Sequence, residues 1–261
     1  MVGYFFMTKR GYQHNFSRMV DGAMYNRQAR ERKAMTLLAV LQDFFKETDT
    51  SSLTLLDMGS STGIIDNFLA DHFGQVTGTD IDEEAIEYAK DTFQKNNLDF
   101  RTADAMNLDF SNNSFDVVVC TQIYEHVPDA QIMLKEISRV LKPGGICYFA
   151  AGNRLNLMEP HYRLPFLSIL PRPLAHIYMK ITGKGSHYHE KHLTLPGLRK
   201  LASEFLVHDY TKKIIDDPLH FKAEYMLKPG SLKHTLAKFI TNYAYWLCPT
   251  YIWVLEKPAN S

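Results

Sequence analysis

The stretch Leu53–Asp82, LTLLDMGSSTGIIDNFLADHFGQVTGTDID, constrains this chain more than any other. Leu53 to Leu56 read as a short buried strand that ends on a carboxylate, Asp57. Gly59 to Gly63 then form a tight turn of glycine and serine leading into a helix. A second strand, Val76 to Thr79, ends on Asp80, roughly 20 residues past the turn, where a nucleotide-binding βαβ unit sets an acid against a ribose diol. The turn therefore calls for a ligand that carries a ribose.

Charge narrows the choice of ligand. A dinucleotide turn needs G-x-G-x-x-G, because its second glycine admits the pyrophosphate to the backbone and its third lets helix pack on strand. Ser61 and Ile64 hold those two places here. Asp57 would also put a negative charge close to a pyrophosphate. An acid before the turn and an acid after it suit a nucleoside without phosphate that carries a cationic amine and a sulfonium, which describes S-adenosylmethionine.

The run Asp57-Met58-Gly59-Ser60-Ser61-Thr62-Gly63 resembles the glycine-rich first motif, D/E-x-G-x-G-x-G, of class I S-adenosylmethionine-dependent methyltransferases, with Ser61 in place of the middle glycine. Further family phrases follow in order. Leu98 to Arg101 read as a third strand that delivers Thr102-Ala103-Asp104-Ala105-Met106. Ser114 to Cys120 form an apolar run fit for a central strand buried on both faces, which empties into Thr121-Gln122-Ile123-Tyr124-Glu125-His126-Val127. A helix from Asp129 to Leu141 stops at Lys142-Pro143-Gly144-Gly145, and Ile146 to Ala150 make the next strand. The phrase Arg139-Val140-Leu141-Lys142-Pro143-Gly144-Gly145 is similar to that of the ubiquinone- and menaquinone-biosynthesis-like members.

The resemblance runs from residue 53 to residue 150. It implies a Rossmann-like α/β fold: a doubly wound, seven-stranded, mostly parallel sheet with an antiparallel last strand, plus mainly helical insertions. It also implies site roles. Asp80, with Ile81 beside it, would bind the ribose. Asp104, flanked by Ala105 and Met106, would take the adenine amine, and Gln122 would meet the methionine end. Gly59, Ser60, Ser61 and Gly63 would approach the methionine, with Asp57 ordering the loop and the amine.

Around this core, residues 1–35 are expected to form an N-terminal cap on a single domain spanning 1–261. They lead into a helix with Ala34, Leu37, Leu38, Leu41, Phe44 and Phe45 at helical spacing and Asp21 as its cap. Tyr12 and Tyr25 either cover the ligand or pack on the sheet, the second reading being favoured. After Asp80, Asp82 caps a helix with Glu83 and Glu84 in its first turn and Asn96-Asn97 as its stop. Leu195 to Phe205 read as a helix, Leu206 to Ile215 as a strand, and Tyr251 to Glu256 as the closing strand. Residues 154–191 and 218–249 remain as insertions on the acceptor side.

Methyl transfer from a sulfonium needs alignment and dryness, and needs a proton acceptor only when the nucleophile must lose a proton. Glu159 and His161, just past the fifth strand, are the leading candidates for that role. His189 is an alternative from His187-Tyr188-His189-Glu190-Lys191-His192, and His126 is a rival. The string His189-Glu190-Lys191-His192 is one residue short of H-E-x-x-H, so no metal is expected.

Residues 154–186 are apolar and basic, with Arg163, Arg172, Lys180 and Lys184 among leucines and isoleucines. Such a segment suits peripheral contact with an anionic membrane, a cover over a greasy substrate, or a lid on the domain's own core, the lid being favoured. A helix from Ser231 carries Leu232, Leu236, Phe239, Ile240, Tyr243 and Leu247 on one side. The expected acceptor is thus a small molecule or lipid with an apolar part.

Lys plus Arg and Asp plus Glu balance at 29 each, which gives no electrostatic case for nucleic acid. Cys120, Cys147 and Cys248 are unpaired by spacing and sit in apolar runs, and Met1–Met7 lacks a leading basic region, so a cytoplasmic protein is expected. Two other classes stay open: a catalytically silent cofactor-binding protein, and a nicotinamide oxidoreductase, which Ser61, Ile64 and Asp57 disfavour.

Overall fold

Seven strands form one sheet in the order β3-β2-β1-β4-β5-β9-β8. They are β1 (Thr54–Met58), β2 (Gln75–Asp80), β3 (Leu98–Thr102), β4 (Phe115–Thr121), β5 (Leu141–Gly152), β8 (Leu206–Asp209) and β9 (Thr250–Glu256). The computed structural model of the chain describes residues 21–46 and 48–259, so Tyr12 and Met1–Met7 lie outside the described residues. Strands β1 to β5 pair in parallel, while β9 runs antiparallel to both β5 and β8. Chain order reverses between β1 and β4, and in open α/β sheets that crevice is where ligands bind.

The central strands are apolar on both sides because both faces are covered. Leu56, Val118, Cys120 and Phe149 join the core on one face, and Leu55, Val117, Val119 and Tyr148 the core on the other. Helices close the two faces: α1 (Asp21–Met24), α2 (Arg27–Phe45), α3 (Ile64–Leu69), α4 (Glu83–Thr92), α5 (Ala130–Val140), α6 (Arg172–Ile181), α7 (Leu195–Leu201), α8 (Thr211–Asp216) and α9 (Leu232–Tyr243). Asp82 and Asp129 cap α4 and α5 through backbone N–H groups of the first turn.

Four expectations change. The cap of α2 is Asn26, whose side chain accepts from the Ala29 amide, whereas Asp21 lies in the separate turn α1. Helix α4 ends at Thr92, ahead of Asn96-Asn97. Strand β5 begins at Leu141 and runs through Lys142-Pro143-Gly144-Gly145, with an irregularity against Phe115–Val117 where proline and two glycines interrupt regular pairing.

Fourth, the expected strand Leu206–Ile215 divides at Tyr210. Its first half pairs with β9, and its second half is helix α8, where the N-cap Tyr210 and Ile214 are buried four residues apart. The cysteines are free thiols buried in the core.

The insertions depart from simple lids. Residues 154–191 hold a two-stranded ribbon, β6 (Met158–Glu159) with β7 (Leu164–Pro165), and helix α6. They pack a small core of their own from Tyr162, Leu164, Leu167, Ala175, Met179 and Tyr188. In the second insertion Ser231 caps α9, but the helix sits opposite to expectation: His234 and Thr241 are buried while Leu232, at 86% exposure, Leu236, Phe239 and Tyr243 face solvent. Of the apolar stripe, Ile240 packs against the main core, and the four exposed residues do not cover the domain. Among the described residues no helix is long and apolar enough to cross a membrane.

Candidate active site

The glycine turn leaves β1 and returns as α3 at the carboxyl end of the sheet. Amides of Gly59 and Ser60 donate to the Thr79 carbonyl, which ties the turn to β2. The Asp80 carboxylate accepts from the Ser61 amide at 2.8 Å and from the Asp82 amide at 3.0 Å. Two backbone donors fix its direction and leave each oxygen a lone pair for a diol. Ser61, at the middle position of the motif, adopts a φ of +52°. That left-handed conformation is the physical reason a glycine is usual there.

Asp57 and Asp66 are both buried at the base of the turn, where Asp57 Oδ1 and both Asp66 oxygens have no hydrogen-bond partner. Burial pushes Asp57 up to about 7, against the pull of Arg30. Burial and the Asp57 charge hold Asp66 well above the carboxylate range, so the pair keeps a proton between them. Arg30 of α2, which sequence reasoning missed, is the cation of this group. It is 8% exposed, donates to the Ser60 carbonyl at 3.3 Å, and feels Asp57, Asp66 and Asp80. An arginine 29 positions upstream in a polar helix gives no local signal; only packing α2 against the turn reveals it.

Asp104 follows β3 and accepts from the Met106 amide at 2.7 Å, with Ala105 and Met106 half-buried beside it. Gln122 follows β4 with a φ of +58°, its amide bonded to the Ala150 carbonyl, a strained backbone of the kind stored at working sites. Ile81 and Ile123 pack at the edge of the same core. Tyr25 meets Tyr88 edge-on at 4.9 Å, so its ring packs on helix α4 rather than on the sheet.

A second set of polar groups gathers where β4 and β5 end. His161 pairs through Nδ1 with Glu159 Oε1 at 2.6 Å, and His192 Nε2 lies 3.6 Å from the same oxygen. Burial alone would raise Glu159, but the hydrogen bond from His161 and the nearby His192 bring it down to about 2. His126 and Glu190 approach to 4.0 Å, and Glu125 is 1% exposed. Tyr124 donates to the Gly152 carbonyl and accepts from the Leu193 amide, which pins the returning insertion to the sheet.

His189 is not in this cluster. The segment runs extended, so Tyr188, Glu190 and His192 point inward while His187 and His189 turn toward each other outside. A helical reading of the histidine string conceals that alternation.

The groups at the turn fit S-adenosylmethionine. A carboxylate pair at Asp57 and Asp66 suits an ammonium, Arg30 suits a carboxylate, and Ser60 Oγ is buried without a partner. The fold and this site define a class I methyltransferase domain. Residues 56–149 match the family described as a methyltransferase domain, so that part of the chain carries such a domain.

Similar proteins include a ubiquinone biosynthesis O-methyltransferase of Coxiella burnetii, 35% identical over 102 residues, which covers 38% of this chain and 44% of that protein. A demethylmenaquinone methyltransferase of Staphylococcus haemolyticus is 36% identical over 120 residues, covering 45% and 48%. The chain thus matches about half the length of these curated relatives. In fold it resembles an S-adenosylmethionine-dependent methyltransferase from Mesorhizobium loti, with a TM-score of 0.55 at 15% identity, covering 91% of this chain and 99% of that one.

Proposed function

We propose that this chain transfers the methyl group of S-adenosylmethionine to an oxygen or carbon of an acceptor with an apolar part, such as a lipid, a prenylated ring or an envelope-type precursor. The observation that carries this reading is the pair of acids, Asp57 and Asp80, set on either side of a compact turn beside Arg30. When bound, the cofactor supplies an electrophilic methyl on a sulfur that leaves readily. Asp80 holds the ribose and Asp104 the adenine amine. Arg30 and Asp57 hold the two ends of the amino acid, with Gln122 aligning the methionine from the β4 side.

Activation of the acceptor falls to the buried cluster of Glu159 and His161. The relatives named for quinone methylation, and the insertion's exposed Leu157, Met158, Phe166, Leu174, Ile177 and Ile181, support an apolar acceptor. With Arg163, Lys180 and Lys184 among them, residues 154–186 also suit peripheral contact with an anionic bilayer.

Titration calorimetry with S-adenosylhomocysteine tests the cofactor assignment: the native chain should bind it and not NAD, and Asp80→Ala should weaken it strongly. Unchanged affinity in Asp80→Ala removes the assignment. Labelled cofactor incubated with a lipid extract should then pass its methyl to an extractable product; no labelled product would leave a cofactor-binding protein without transfer.

A further inference from the structure

Glu125 and His126 follow β4, and His161 belongs to the turn between β6 and β7. The possible ligand atoms of these three residues lie within 4.8 Å of one another. The Glu125 carboxylate is 1% exposed, and neither of its oxygens accepts a hydrogen bond. Removing a carboxylate from water without a partner costs several kcal/mol, so a proton or a cation must meet it. The imidazoles that surround it are metal-ligand types. Mixed imidazole and carboxylate donors select first-row transition metals over magnesium or calcium, which prefer oxygen alone.

The neighbours complete the pattern. Glu159 Oε1 takes His161 Nδ1, which orients that ring and assigns Nε2 to any metal bond. Glu190 Oε1 stands 4.0 Å from His126 Nδ1 and is placed to do the same for the second ring. Carboxylates that buttress metal-bound histidines in this way are a recurring outer layer of such sites. A second grouping, Glu159 with His161 and His192, is also compact. It is the poorer site, because Glu159 Oε1 already pairs with His161 Nδ1 at 2.6 Å, a bond that competes with a cation there.

We propose that Glu125, His126 and His161 bind one divalent first-row transition-metal cation, with Glu159 and Glu190 orienting the two imidazoles. Bonds of about 2.1 Å hold neighbouring ligand atoms about 3 to 3.5 Å apart, so closure asks for side-chain shifts of about 1 Å. Two histidines and one carboxylate leave coordination positions open. The site deepens the methyl-transfer reading and rests on it only for its role. An acceptor hydroxyl taken into an open position gives up its proton to water; its oxygen then forms the O–CH3 bond as the S–CH3 bond breaks and S-adenosylhomocysteine leaves.

The test uses chelator-treated full chain titrated with Zn2+, Mn2+ and Co2+ by calorimetry, with visible absorption for Co2+. One ion should bind per chain. Glu125→Gln and His161→Ala should each weaken binding by more than about 10-fold, while His192→Ala, outside the triad, should keep it. A thermal shift with S-adenosylhomocysteine, retained in each variant, shows that the fold persists. Absence of saturable binding below about 100 μM for all three ions overturns the proposal, as does binding that survives both Glu125→Gln and His161→Ala. Loss in His192→Ala equal to that in Glu125→Gln overturns the triad. A native chain that binds metal but not S-adenosylhomocysteine would refute the methyl-transfer reading and leave the metal site standing.

Discussion

Replacing Gly59 by alanine tests how the glycine turn is held against the β4 loop. Gly59 has a φ of +89°, and a Cβ built there would stand 2.2 Å from Ile123 Cδ1 and 2.7 Å from Cγ1. Two penalties follow. Left-handed backbone costs an alanine about 1 to 2 kcal/mol, of which about 0.4 to 1 kcal/mol is returned through the stiffer unfolded chain. The overlap is the larger penalty, since a contact that short forces Ile123 from its place, an overpacking cost of about 1 to 3 kcal/mol. The net loss for Gly59→Ala is about 1.5 to 4 kcal/mol, or a melting temperature lower by about 3 to 16 °C at 2 to 4 °C per kcal/mol.

The two penalties separate in a double-mutant cycle. Ile123→Ala removes the obstructing atoms, so the double variant should recover the overlap part and keep the backbone part. Urea unfolding of the native chain, both single variants and the double variant should give a favourable coupling of about 1 to 3 kcal/mol. Additivity within about 0.5 kcal/mol would mean that Gly59 and Ile123 do not interlock, and the argument that the cofactor turn and the acceptor-side loop form one mechanical unit would fail.

Further outcomes are expected elsewhere. Ser61→Gly relieves a left-handed serine with an unpaired Oγ, so it should hold or raise stability by up to about 1 kcal/mol, read as an unchanged or higher urea midpoint; a clear loss would show that the hydroxyl is bonded in solution. Arg139 donates to the carbonyls of Leu108 and Phe110 and pairs in two bonds with Glu136, which in turn accepts from the Leu108 amide. Arg139→Lys cannot make that fork and should cost about 1.5 to 3 kcal/mol, with slackened adenine-side affinity for S-adenosylhomocysteine as the loop of Asp104 loosens; equal stability would refute this bracing role.

For Asp57, burial sets the folded value at about 7, above the unfolded carboxylate, so folding binds a proton. Its contribution is present below about pH 4 and is lost as pH rises through about 7. Urea melts of the cofactor-free chain should therefore fall in stability from pH 5 to pH 8 more steeply than those of Asp57→Asn; parallel profiles would place the shared proton elsewhere.

What could be read in the sequence is what short range decides. The parallel core from β1 to β5 is legible because runs such as Val117-Val118-Val119 suit a strand covered on both faces, and Asp57 and Asp80 fall at or beside strand ends by spacing, whereas Asp104 and Gln122 are picked out by resemblance to the family's phrases. Arg30 was not legible, since its meaning depends on a helix crossing the turn from a separate part of the chain. The histidine string misled for a related reason. Counted on a helix, Glu190 and His192 fall on opposite sides and suggest no pairing. Run as an extended segment, Glu190 and His192 share a side and meet Glu159 and His161 from a ribbon that no periodicity announces.

Helix α9 states the same point from the opposite direction. Its periodicity is helical and the stripe of Leu232, Leu236, Phe239 and Tyr243 exists, but periodicity says only that a helix has two unlike faces. Which face turns inward is decided by what waits there. The buried face carries His234, which meets the Ile215 carbonyl at 2.7 Å through Nε2 and accepts from the Gly230 amide through Nδ1. Those bonds tie the helix to the end of α8 and to its own leading loop, so the polar face has partners inside and the apolar stripe is left outside.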